Sequence, residues 1–162
     1  MAFQSKQAFL AEWATETERT TMVLRNLTNE TLSQSIVEDH NSLGWLSWHL
    51  VVSISSLGQL AGISFSSVKQ QADNPNDAEQ ILATYQQVTK DVNHFVDSNW
   101  TDQNLAKEID MYGEAMTVGR LLQLVLLHQT HHRGQMTVLM RQAGLKVPGL
   151  FGPTKEDLEA YK

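Results

Sequence analysis

From Thr117 to Gln142 apolar side chains recur every three or four residues, and no proline interrupts them. A strand buries every second side chain, so this stretch hides its carbon best as a long amphipathic helix. Three earlier segments carry the same period. In the first, Phe9, Leu10, Trp13, Thr17, Thr20, Leu24 and Leu27 fall in step. The second runs from about Ser42 to Leu60, with Leu43, Leu46, Leu50, Ile54 and Leu57 on one side. The third runs from about Asp77 to Val96 through Ile81, Leu82, Tyr85, Val88, Val92 and Phe95. Asn41 or Ser42, Asn76 or Asp77, and Thr117 are suited to cap the last three, and Gly144 to end the fourth. Thr154, followed by Lys155, Glu156 and Asp157, opens a short last helix. Four amphipathic helices bury their stripes most simply against one another, which predicts an all-α four-helix bundle as one domain over residues 1–162.

The connections are less regular. Ile63 to Asn76 is polar and carries an Asn-Pro turn signal. Ser98 to Met116 has no clean period, and Lys107–Tyr112 within it reads as a short strand. The longest apolar run, Leu124–Leu127, is far below the roughly 20 residues of a membrane span. The opening MAFQSKQAFLAEW lacks a signal-peptide core, so a cytoplasmic location and no membrane partner are expected. With no cysteine, the chain has no disulfide, thiolate ligand or cysteine nucleophile. A net charge of −6 with scattered basic residues argues against nucleic acid as a partner.

Three of the six histidines fall within HQTHHRGQ, residues 128–135. At about 100° per residue, the apolar stripe of Val118, Leu121, Leu122, Val125, Met136, Leu139 and Met140 centres about 70° from His128. His132 lies inside it, at about 40°, whereas His131 is about 130° from its centre. His128 and His132 therefore form an i, i+4 pair leaning inward. Buried imidazoles need partners; hydrogen bonding satisfies them, and so does ligation of a metal ion. His49, in GWLSWHLVV, lies within the broad apolar arc of the second helix; alone it reads as a satisfied core histidine, and beside the inward pair it is the best candidate for a third ligand. His40 and His94 have weaker claims. Leu124, Leu127 and Val138 form a second apolar flank on the fourth helix, which either thickens the core or is covered by a partner.

SLGWLSWHLV at 42–51, HQTHHRGQM at 128–136 and VPGLFGPTKED at 147–157 resemble the DinB-like superfamily of small metal-binding four-helix proteins. That resemblance implies a bundle with a long crossover connection, a homodimer, and His49, His128 and His132 as metal ligands. It also implies transfer of a low-molecular-weight thiol such as bacillithiol to small electrophiles, and in some members isomerisation. Imidazole suits Zn²⁺ or Ni²⁺ best, with Fe²⁺ and Mn²⁺ as alternatives. Three neutral ligands leave the ion's charge free to acidify bound water or to hold an external thiol as thiolate.

Three functions are thus compatible with the residues. They are a metal-dependent thiol S-transferase, a metal-dependent hydrolase or isomerase, and a non-enzymatic metal-stabilised dimer acting in stress response. Gln135, at about −20° from His128, is placed to orient a ligand. Arg133 is expected to pair with an acidic residue of a loop as a structural anchor. Trp45 and Trp48 suit either core packing or a pocket wall, and Tyr112 and Glu114 belong to a loop that sequence does not place. Because protons compete for imidazole, metal affinity is expected to fall as pH drops through about 6.5.

Overall fold

The structure, a computed structural model, describes residues 2–66, 68 and 73–160. Four long helices, α1 (Lys6–Leu24), α2 (Leu43–Leu60), α3 (Ala78–Asn99) and α5 (Val118–Gln142), make up a four-helix bundle. Helix α1 packs on α3 and α5, and α2 packs on the same two. Chain neighbours α1 and α2 therefore face each other across a diagonal, which the connection from Arg25 to Ser42 spans through a 3-10 turn at Asn29–Thr31. That turn is fastened to the start of α3, since Asn29 Oδ1 accepts the Ala78 N–H at 2.7 Å.

The helices start where capping chemistry dictates. Ser42, Asp77 and Thr117 adopt extended backbone, and their side chains accept N–H groups of Trp45, Gln80 and Arg120. Helix α5 ends at Gln142, and Gly144 follows with φ of 72°, in the left-handed region. Thr154 caps α6 (Lys155–Glu159) through a reciprocal pair with Asp157. Of the polar connection Ile63–Asn76, residues 67 and 69–72 lie outside the described residues.

The segment between α3 and α5 holds more structure than its pattern signals. A short helix α4 (Asp102–Leu105) precedes strand β1 (Glu108–Met111), where a strand was expected. An unexpected second strand, β2 (Glu114–Thr117), pairs with it antiparallel, Glu108 opposite Thr117. Tyr112 and Gly113 turn the hairpin with φ of 55° and 93°. That double left-handed turn suits the twist of paired strands, though an aromatic residue there is uncommon.

The core lies on the stripes read from the periodicity: Phe9 and Trp13 on α1, Leu46, Leu50 and Ile54 on α2, Ile81, Tyr85 and Val88 on α3, Leu121, Val125 and Met136 on α5. Two polar clusters interrupt it. Tyr85 donates its hydroxyl to Gln129 Oε1 at 3.2 Å, and Gln129 Nε2 donates to the Leu50 carbonyl at 3.1 Å. Burial pushes the Tyr85 phenol pKa up, keeping it a donor. This chain of bonds fixes α3, α5 and α2 at one level. No helix among the described residues is long and apolar enough to cross a membrane.

Candidate metal centre

Gln129 and Leu50 sit one residue from His128 and His49, so the bond between them also sets those two imidazoles opposite each other. Nε2 of His128 lies 3.2 Å from Nε2 of His49 and 3.0 Å from Nε2 of His132. One nitrogen from each ring falls within 4.8 Å of the others. Metal–nitrogen bonds of about 2.0–2.1 Å hold two ligand nitrogens about 2.9 Å apart at a right angle and about 3.4 Å at the tetrahedral angle. The two short separations fall within that range, so the three imidazoles can hold a metal ion.

Proton positions support the same use. Gln135 Oε1 lies 2.7 Å from His132 Nδ1. A carbonyl oxygen only accepts, so Nδ1 carries a proton, and in the neutral ring that leaves the Nε2 lone pair free for a metal ion. Nδ1 of His128 is buried with no hydrogen-bond partner among the described residues, leaving its Nε2 side to account for the ring's position. Burial and the adjacent imidazoles hold His128 at a pKa of about 4, and the same two causes lower His49. These two rings therefore stay neutral, the state ligation requires.

A proton must displace the ion, and a ring with a lowered pKa takes that proton only in more acid solution. Metal affinity is thus expected to survive below pH 6.5 and to be lost progressively toward pH 4, with a shallower slope than three free imidazoles would give. Zinc competition against a chromogenic chelator between pH 4 and 8 measures that slope.

The histidines divide as the bearings require. His49, His128 and His132 are each half-buried, whereas His40, His94 and His131 are exposed. His131 lies T-shaped to His132, at 4.9 Å between ring centroids, and is not one of the three converging ligands. Trp45 stacks on His49 at 4.7 Å and 13° while remaining 43% exposed, so it screens that ring from one side. Trp48 packs against the core.

A groove of about 220 Å³ opens on the triad, lined by the rings of His49 and His128, by Val52 and Leu57, and by Ser53 and Ser56. Tyr112 stands at its lip from the hairpin turn. Glu114, on β2, is exposed and does not line it. A second, more apolar cleft of about 310 Å³ lies on the other side of Gln135.

Arg133 is fully buried and does not pair with a loop, as its sequence context suggested. Its partner is Glu16, on the inner face of α1. Arg133 Nη1 donates to the Glu16 carbonyl and to Thr20 Oγ1, both at 3.0 Å, and Nη2 donates to the Glu16 carboxylate. Burial opposes ionisation of Glu16, but Arg133 and Arg19 together outweigh it and hold the carboxyl below its usual pKa. Arg19 in turn lies over the Phe151 ring, 4.1 Å from its centroid. The anchor grips α5 one residue beyond His132.

The model of the DinB family matches residues 1–162 of this chain. The chain belongs to the DinB family. Among its DinB relatives is the uncharacterized protein YrdA of Bacillus subtilis (strain 168), 39% identical over 155 residues, covering 96% of this chain and 93% of that protein. A DinB-like protein from Bacillus cereus ATCC 10987, of known crystal structure, superposes with a TM-score of 0.88 at 39% identity, covering 92% of this chain and 99% of the other. The DinB-like protein YjoA of Bacillus subtilis superposes with a TM-score of 0.72 at 22% identity, over 91% and 99% of the two chains, a likeness of fold alone. DinB membership and the histidine cluster together fit a metal-binding protein.

Gln135 is the residue beyond the triad that hydrogen-bonds directly to one of its rings. Replacing it by leucine removes the acceptor that selects the His132 tautomer, and metal affinity is expected to fall about 10- to 100-fold. Because Gln135 is exposed, the fold should be unchanged. Chelator competition beside circular dichroism separates the two effects.

Proposed function

We propose that the chain is a metal-dependent thiol S-transferase acting on small electrophiles, with His49, His128 and His132 as the ligands. One observation carries the choice of nucleophile. Among the described residues lining the groove and the neighbouring cleft, none is aspartate or glutamate. Zinc hydrolases of the HExxH type place a carboxylate beside the ion to take a proton from water. A thiol, with a pKa near 8.5, needs no such base, because a bound cation deprotonates it outright.

The chain's own residues then bind and orient. The three imidazoles hold the ion, Gln135 fixes the His132 ring, and Trp45 screens His49. Ser53 and Ser56 offer hydroxyls to the polar part of a small thiol, while Val52 and Leu57 offer carbon. In the reaction a bond forms from sulfur to the electrophilic carbon. The leaving group departs with the electron pair of the bond that breaks, and the thiol proton passes to solvent.

Zinc-loaded protein should consume a thiol such as bacillithiol or cysteine with monochlorobimane as electrophile, faster than the uncatalysed reaction. Chelation or His132→Ala should abolish the difference. Ester turnover without thiol would instead favour the hydrolase. Stabilisation by zinc with neither activity would favour the non-enzymatic metal-bound protein.

A further inference from the structure

One groove opens on two rings of the triad, and a second, more apolar cleft meets the site through Gln135. The groove on the His49–His128 side carries two serine hydroxyls. The cleft on the far side of Gln135 is walled mainly by Ile36, Leu46, Val138 and Leu139, with His40 and Asn41 also lining it. Leu46 and Leu139 belong to the core, whereas Ile36 and Val138 are 49% and 50% exposed. Exposed carbon opposite buried carbon gives a slot that loses unfavourable hydration when filled. Its volume of about 310 Å³ is ample for a ring, since an engineered cavity of about 150 Å³ holds benzene.

The slot is tied to the triad by a shared side chain. Gln135 lines it and, through the same amide, accepts a hydrogen bond from His132 Nδ1–H. Leu46 lies one turn before His49 on α2, so both ligand-bearing helices contribute to its walls.

Resting on the metal site proposed above, we propose that this cleft receives the apolar part of the electrophilic substrate, an aromatic or branched aliphatic group of about one ring. The hydroxyl-bearing groove is left to the thiol. The two reactants thereby approach the triad from different sides, and the enzyme favours electrophiles with a compact hydrocarbon tail.

Hydroxamates test this without turnover, because one chelating head carries different tails. Zinc-loaded full-length protein is titrated calorimetrically with acetohydroxamate and with benzohydroxamate. Benzohydroxamate is expected to bind about tenfold tighter or more, from burial of its ring. Val138→Trp, which fills the cleft from α5, should erase that advantage while leaving zinc and acetohydroxamate affinity unchanged. Ile36→Trp fills it from the opposite wall and should do the same if the first variant does not fold. Ser56→Trp, in the other groove, should leave the advantage intact.

An advantage that is absent, that survives both cleft variants, or that disappears only in Ser56→Trp overturns the proposal. So does a dimer, seen by sedimentation, that Val138→Trp dissociates while tail preference stays, for then a second copy occupies the cleft. Failure of acetohydroxamate to bind overturns the metal reading and this proposal with it. A tail preference without thiol consumption upholds the cleft and removes only the transferase.

Discussion

Replacing Arg133 by leucine is expected to lower the unfolding free energy by about 3–5 kcal/mol, a large share of the roughly 5–15 kcal/mol of a typical domain. The loss comes less from the missing attraction than from what stays behind. Glu16 is 4% exposed, and without the guanidinium its charge stays buried with Arg19 as its remaining cation. The Glu16 carbonyl and Thr20 Oγ1 lose a donor in the same step. The double variant Glu16→Gln, Arg133→Leu strands neither charge and should recover much of the loss. Urea unfolding of the parent protein and these two variants makes the comparison. The sign with pH is also fixed. Glu16 has a lowered pKa when folded, so its stabilising contribution is present above the unfolded value of 4.5 and is lost as pH falls through the lower folded value.

The second large effect concerns the triad. His132→Ala is expected to weaken zinc binding by about a hundredfold or more. Structural zinc sites gain roughly 10–16 kcal/mol from a full ligand set, so one ligand carries about 3 kcal/mol. His131→Ala, one position away but exposed, should leave affinity where it was. Dialysis against chelator-buffered zinc gives both values. The rise in melting temperature on adding zinc should vanish only in the first variant. Equal losses in both would mean that local helix chemistry, not convergence of three rings, governs binding.

How far the chain announces this arrangement depends on the range of the contact. Helix starts were legible because caps act within three residues: Ser42, Asp77 and Thr117 carry their own signal. The inward lean of His128 and His132 followed from helix geometry and the apolar stripe around them. His49 was legible as a polar residue in an apolar arc. Glu16 and Gln129 were not, because each reads as an ordinary polar residue until a partner from a distant segment arrives. Arg133 showed its need of an acid, yet nothing local said which one. The hairpin escaped for another reason. Four-residue strands are too short to display a period, and its turn uses Tyr112 at a position where Asn or Asp is the usual signal. Its placement of Tyr112 beside the triad was therefore invisible in the sequence.

The second apolar flank of α5 has a more definite outcome. Leu127 and Val138 are 53% and 50% exposed, so they do not thicken the core. They also part company: Val138 faces the cleft beside Gln135, while Leu127 lies in a separate depression with Phe3 and Phe151.

The grip of Arg133 and Gln129 on the helix that carries two of the three rings draws nothing from the rings themselves. Such a scaffold is a socket rather than a rivet: it stands before anything is plugged in, and it stands when the plug is pulled. Cations are then expected to exchange on an already finished fold, which would make the element that fills it a matter of supply in the surroundings rather than of assembly.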